Sequence, residues 1–246
     1  MGTINDTYIN ALLADSSYVT ELTADMFGDN LKDKLAKRMT PEQAEYISDN
    51  FKVKAVYNST DGGFNVVVWE GVSGKEFAGQ VYVSIRGTQE FPQDYIDDVG
   101  LAAKGVAYTQ IKEMVNWWSK ETTPNGVMAP QLTIAKVSIP NAPDHNFFVA
   151  ANEVMSDQAL LANVDAIKSV NAHSLGGYLA TAFARIFGNK FPIESVNTFN
   201  SAGFSKQATN NIEAEFTNIK TVIGSTYGFD NFTSVAAKQP NFRGVA

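Results

Sequence analysis

The chain has no cysteine among its 246 residues, so it offers no disulfide framework, no thiolate nucleophile and no cysteine-held metal. Histidine is almost as scarce, with only His145 and His173, and no cluster of His, Asp and Glu has the spacing of metal ligands. Basic charge is short too: 19 Lys and Arg stand against 26 Asp and Glu, and the net charge of −7 argues against nucleic acid and against electrostatic docking on anionic lipid. No apolar run reaches the roughly 18–20 residues of a spanning helix, so a soluble chain is expected. The opening residues, Met1-Gly2-Thr3-Ile4-Asn5-Asp6, lack the basic and then apolar regions of a classical signal peptide. Repeats, low-complexity tracts and an interdomain linker are also missing. With 44% hydrophobic residues the sequence can fill the core of one large α/β domain, and a single domain over residues 1–246 is the reading.

What the chain does have is Ser169-Val170-Asn171-Ala172-His173-Ser174-Leu175-Gly176-Gly177-Tyr178-Leu179-Ala180. A short run of strand character meets a Ser between small residues, and a helical pattern of Tyr178, Ala182, Phe183, Ile186 and Phe187 follows. This is the layout of a nucleophile elbow, a tight strand-to-helix turn that lifts a Ser to its apex. The turn forces Ser174 into a sparsely populated backbone region, so the residues two positions either side must be small. Ala172 and Gly176 meet that demand. The helix that starts there would aim its free N–H groups, Leu175 first, at the space in front of Ser174 Oγ. A Gly-rich turn without chemistry is the competing reading, and the strand and helix predicted on either side weigh against it.

The remaining segments predict the frame for such a turn. Residues 3–18 and the segment after Thr40, where Thr40-Pro41-Glu42-Gln43 reads as cap and capping box, are expected helices. Phe51–Tyr57, Phe64–Glu70 and Gln80–Ile85 read as strands joined by hairpin turns, and the third runs into Arg86-Gly87-Thr88-Gln89. A helical, aromatic pattern covers 94–122, in which Trp117 and Trp118 read as core rather than as a ligand platform. Strands are expected at 132–139, 147–154, 194–200 and 219–223, with helices near 158–166 and 206–216. Strands alternating with helices after residue 165 imply a mostly parallel central sheet with helices on both faces.

With Arg86-Gly87-Thr88 and His173-Ser174-Leu175-Gly176-Gly177 both placed, the chain resembles the class 3 lipases, an α/β-hydrolase family. Within that family it is most similar to the lipase module of bacterial calcium-binding-repeat (RTX), type I secreted lipases, through Gly105-Val106-Ala107-Tyr108, Met114-Val115-Asn116-Trp117-Trp118, Tyr178-Leu179-Ala180-Thr181-Ala182-Phe183 and Thr198-Phe199-Asn200-Ser201-Ala202-Gly203-Phe204. The likeness spans roughly residues 50–225. It implies an α/β-hydrolase fold, Ser174 as acyl-forming nucleophile, and Leu175 and Thr88 as oxyanion donors. Gly87 and Gly176 support the turn, and Asp98 steadies the oxyanion residue. Thr88 as a plain helix cap and Asp98 as a solvated carboxylate stay open beside those roles. Ala172 departs from the Gly of the family pattern and is still small.

A serine hydroxyl needs a general base, and here the sequence is poor. His173 is expected to point away from the apex and donate to a neighbouring backbone group. His145 precedes the nucleophile, against the Ser, acid, His order of the fold, and stands only as a low-ranking base. Asp230, in Gly228-Phe229-Asp230-Asn231, is the expected triad acid. The expected catalytic His would lie on a C-terminal segment that this sequence lacks. Two functions therefore compete: a carboxylic ester hydrolase of lipase or phospholipase type acting on acyl-ester lipids, and a catalytically silent binding module on the same fold. The hydrolase reading carries a transient contact with a lipid interface, residues 91–108 serving as a lid, and signal-peptide-independent secretion. No metal or cofactor is required; family relatives bind calcium, but no acidic loop here has the periodicity of a calcium site.

Overall fold

The computed structural model describes residues 4–60, 63–87, 107–138, 145–201, 206–228 and 232–242. The N-terminal layer is helical. Helix α1 (Ile4–Ser16) is followed by α2 (Gly28–Leu35) and α3 (Pro41–Asn50). Helix α3 starts on the expected capping box, with Thr40 Oγ1 accepting the Gln43 N–H and Gln43 Oε1 accepting the Thr40 N–H. Helix α2 was not anticipated; its anchors are Leu31 and Leu35 alone, too few to register as a periodic pattern.

Strands β1 (Phe51–Asn58), β2 (Asn65–Gly71) and β3 (Val81–Arg86) form the expected antiparallel meander. Then β3 pairs in parallel with β8 (Ile167–His173), β8 with β9 (Ile193–Phe199), and β9 with β10 (Asn241–Phe242). Among the described residues the central sheet is thus six-stranded and mixed, in the order β1-β2-β3-β8-β9-β10, rather than mostly parallel throughout. A register shift between Val53 and Ala55 turns β1 over. As a result Phe51 and Val53 pack on one face while Ala55 packs on the other.

Each face carries its own core. On one side α1, α2 and α3 bury Ile9, Leu12, Leu13, Leu31, Leu35 and Ile47 against Val67, Trp69 and Tyr82. On the other, α4 (Tyr108–Thr122), α5 (Gly176–Phe187) and α6 (Lys206–Tyr227) cover Val83, Ile85, Val170, Ala172 and Val196. Trp118 sits at the centre of this second core, edge-on to Phe183 at 4.7 Å and against Phe187 and Phe191. Trp117 is tilted against Tyr57 and Phe64, so both tryptophans are packing residues, as expected. The short β4 (Met128–Ala129) pairs with β7 (Val154–Met155), and β5 (Leu132–Val137) with β6 (His145–Ala150), as two satellite ribbons.

Two expected elements are replaced. Residues 219–223 are not a strand but the middle of α6, where Ile212, Phe216, Ile219, Ile223 and Tyr227 recur at helical spacing and are all buried. A short β-branched run cannot by itself distinguish a buried strand from a buried helix. Residues 158–166 form turns instead of a helix. There the Leu160 N–H donates to Glu121 Oε2 at 3.1 Å and the Leu161 N–H to the Glu121 carbonyl at 3.0 Å, and Ala159 adopts φ +48°. Helix α7 (Phe232–Ala237) leads into β10. The helical pattern expected from residue 94 is seen from Tyr108 onward, and 94–106 lie outside the described residues.

Burial raises the pKa of the Glu121 carboxyl. A carboxyl whose folded pKa lies above its unfolded value contributes fully below the unfolded value, about 4.3, and loses that contribution as pH rises through the folded value. Glu121→Gln keeps an oxygen for the Leu160 N–H without the charge. Urea midpoints are expected to favour the Gln variant increasingly between about pH 4 and pH 7.

Candidate active site

Strand β8 lies inside the sheet, with Ile85 of β3 opposite Ala172 and Phe199 of β9 opposite His173. Sheet bonding continues one residue past the strand, since the Ser174 N–H donates to the Phe199 carbonyl at 3.1 Å. There the chain turns: Ser174 adopts φ +55°, and Leu175, at φ −58° and ψ −29°, caps α5. Two i to i+3 bonds tighten the first turn, from Gly177 N–H to Ser174 O at 3.1 Å and from Tyr178 N–H to Leu175 O at 3.0 Å. A non-glycine residue held at positive φ costs about 1–3 kcal/mol and persists only where its surroundings over-determine it.

The surroundings here are backbone. A Cβ added to Gly176 would lie 2.6 Å from the Ile85 carbonyl and 3.0 Å from the Gly87 nitrogen. One added to Gly87 would lie 2.5 Å from the His173 carbonyl and 3.1 Å from Ser174 Cβ. Both positions accept only glycine without backbone movement. The Arg86-Gly87 turn and the serine turn are therefore in direct contact. Gly177 is packed as closely, against Ser201 and Thr198.

Of the residues picked out by sequence, Ser174, Leu175, Gly176 and Gly87 come together at one end of β3 and β8. Ser174 is half-buried. Among the described residues the Leu175 N–H has no hydrogen-bond partner, and it stands at the N-terminus of α5, where the helix field favours negative charge. Thr88, Asp98 and Asp230 lie outside the described residues.

His145 is not brought to this site. It opens β6, opposite Val137 in the β5–β6 ribbon, where it is exposed and its ring stacks on Phe147 at 6.3 Å. His173 has a side chain as its partner rather than the expected backbone group. Its Nδ1 lies 3.4 Å from Tyr18 Oη, and the two rings meet edge-on at 6.2 Å. The same Tyr18 oxygen accepts the Gly87 N–H at 3.2 Å, which removes that amide from the donors open to a ligand. Burial raises the Tyr18 pKa, so the phenol stays protonated. Sequence reasoning missed Tyr18, which follows the end of α1 and joins the site from some seventy residues away in the chain. No local pattern marks it. Among the described residues, no group of three or more His, Cys, Asp or Glu could hold a metal ion, and no helix is long and apolar enough to cross a membrane.

No protein-family model matches this chain, and no curated protein matches it in sequence. Among solved structures, the crystal structure of M37 lipase aligns with 99% of this chain and 68% of its own at 15% identity, with a TM-score of 0.36.

The strain at Ser174 has a measurable signature. Ser174→Gly is expected to leave stability unchanged or raise it by up to about 1 kcal/mol, because glycine adopts positive φ freely. Gly176→Ala, whose Cβ meets the Ile85 carbonyl, is expected to lower it by about 1–3 kcal/mol. Chemical denaturation of the two variants checks the pair; a Ser174→Gly variant destabilised by more than about 1 kcal/mol contradicts the strain argument.

Proposed function

We propose that the chain is a carboxylic ester hydrolase of lipase type, built as a single α/β-hydrolase domain and acting through Ser174. The observation that carries this reading is the positive-φ serine held between a sheet strand and a helix N-terminus, with the β3 turn packed against it through Gly87. Inside a regular helix the N–H next to the serine would be spent on the i−4 carbonyl. Here Ser174 Oγ attacks the ester carbonyl, its proton passes to a base, and negative charge on the former carbonyl oxygen is held by the Leu175 N–H. The family resemblance assigns the second donor to Thr88, the support of that residue to Asp98 and the triad acid to Asp230. Collapse of the tetrahedral intermediate expels the alcohol and leaves an acyl-serine, which water then cleaves.

The base is the open part of this reading. No hydrogen bond joins either imidazole to Ser174 among the described residues: His145 is on the β5–β6 ribbon and His173 is in contact with Tyr18. Strand β10 runs parallel to β9, with Phe242 opposite Phe199, so its C-terminal end lies at the same end of the sheet as Ser174. The substrate class is an acyl-ester lipid met at an interface; residues 91–106 of the expected lid lie outside the described residues. The orientation of both histidines supports a second reading, a binding module that keeps the serine turn without turnover. Lacking a base, residual catalysis would fall by roughly a thousandfold or more.

A fluorophosphonate probe separates the two, because it labels only an activated serine. Labelling of the purified chain that disappears in Ser174→Ala supports the hydrolase. No labelling, or labelling that survives Ser174→Ala, rejects Ser174 as nucleophile.

A further inference from the structure

The phenol of Tyr18 stands where three segments distant in sequence meet. Its oxygen accepts the Gly87 N–H at 3.2 Å and lies 3.4 Å from His173 Nδ1. A Cβ on Gly87 would meet that oxygen at 3.0 Å and Ser174 Cβ at 3.1 Å, so hydroxyl and serine flank the same α-carbon. The ring is itself held. The Arg38 guanidinium lies over it, 4.7 Å from its centroid, and Arg38 donates to Asp15 Oδ1 through Nη2 at 2.6 Å and Nε at 3.0 Å. The Tyr18 N–H closes the turn by donating to the Asp15 carbonyl at 3.1 Å.

A phenol has one proton and two lone pairs. With one lone pair occupied by the Gly87 N–H, the O–H is free to donate to His173 Nδ1 in the tautomer that carries its proton on Nε2. Each bond polarises the other. The chain of donors runs from the β3 turn through α1's exit to the last residue of β8, spanning the two backbones that flank Ser174. Fixing the Gly87 N–H also fixes the plane of the Arg86–Gly87 peptide, and with it how Gly87 sits against the serine turn. Gly87 packs against Ser174 Cβ and Gly176, so a shift of the β3 turn moves the serine and the Leu175 N–H beside it, and an oxyanion donor acts only when it is about 2.7–3.1 Å from the developing charge.

We propose that Tyr18 is a positioning residue for ester cleavage: its hydroxyl ties Gly87 to His173 and holds the β3 turn at the separation from Ser174 that the oxyanion site requires. This rests on Ser174 being the nucleophile. Tyr18 acts through Gly87 and touches no reacting atom, so its effect belongs to the transition state rather than to substrate affinity.

The test compares the wild-type chain with Tyr18→Phe, which keeps the ring beneath Arg38 and deletes only the oxygen. Two quantities are read: the second-order rate of Ser174 labelling by a fluorophosphonate, and kcat and KM on a short-chain p-nitrophenyl ester. The expected result is a fall of roughly tenfold or more in labelling rate and in kcat, with KM within about twofold of wild type. His173→Asn, which leaves the Gly87 bond in place and removes the imidazole, is expected to lose less, roughly two- to fivefold in kcat, and serves if Tyr18→Phe does not fold. Wild-type labelling rates and kcat in both variants, or a loss carried wholly by KM, overturn the positioning role while leaving Ser174 as nucleophile. A wild-type chain that is not labelled at Ser174 rejects the nucleophile and the positioning role together.

Discussion

The approach of the β3 turn to the turn after β8 is the contact on which the rest of the site depends. Parallel pairing with Ile85 opposite Ala172 brings Arg86 and Gly87 level with His173 and Ser174. At that height two backbones and a helix N-terminus occupy a space that a single methyl group would overfill: Gly176 is 2.6 Å short of the Ile85 carbonyl and Gly87 2.5 Å short of the His173 carbonyl, measured from an added Cβ. Interiors packed at crystal density do not deform continuously, so Ser174 has no relaxed alternative. Its positive φ follows from the approach of β3 and α5 to each other.

The direction of α5 is set by the same contact, and it organises the larger core. Leaving the serine turn, α5 presents Phe183 and Phe187 to Trp118 of α4, and Phe187 meets Tyr227 at the end of α6 at 5.1 Å. Arg185 extends this packing outward, with its guanidinium 4.8 Å from the Phe216 ring and a 2.5 Å bond to Glu213. Burial of aromatic side chains is worth about 1.5–3 kcal/mol each, which comfortably offsets a strained serine of about 1–3 kcal/mol. On the opposite face β8 and β9 carry polar residues: Ser169 Oγ donates to Asn171 Oδ1, and Asn197 Nδ2 donates to Ser169 Oγ at 2.7 Å. These bonds tie β8 to β9 through buried polar atoms, while Asn171 Nδ2 is buried without a partner among the described residues.

What could be read from sequence was what is encoded locally. The serine turn, each strand of the meander and the Thr40 cap declare themselves within a dozen residues, through glycine spacing, alternation or a polar residue before a proline. The errors came where tertiary context decides. Residues 219–223 carry a β-branched run that suits a strand, yet they continue a helical stripe fixed by Ile212 and Phe216. Residues 158–166 carry helix formers whose backbone groups are taken by Glu121 instead. Tyr18 belongs to the same class. It earns its place through Gly87 and His173, and nothing within ten residues of it anticipates either partner.

The separation between how the serine is held and how it would be activated is physical. Holding Ser174 requires small residues, a parallel register and a helix, all of which lie within β3, β8 and α5 and stabilise one another through close packing. Activation requires an imidazole within hydrogen-bond reach, a condition that contributes little to folding and so is not enforced by the packing that shapes the turn. His173 illustrates the difference: it is bonded in sequence to the serine, yet the geometry of the strand sends its ring to the face on which Tyr18 lies. Adjacent residues of a strand project to opposite faces, so the residue before the apex is the one a serine on this turn can least use as its base.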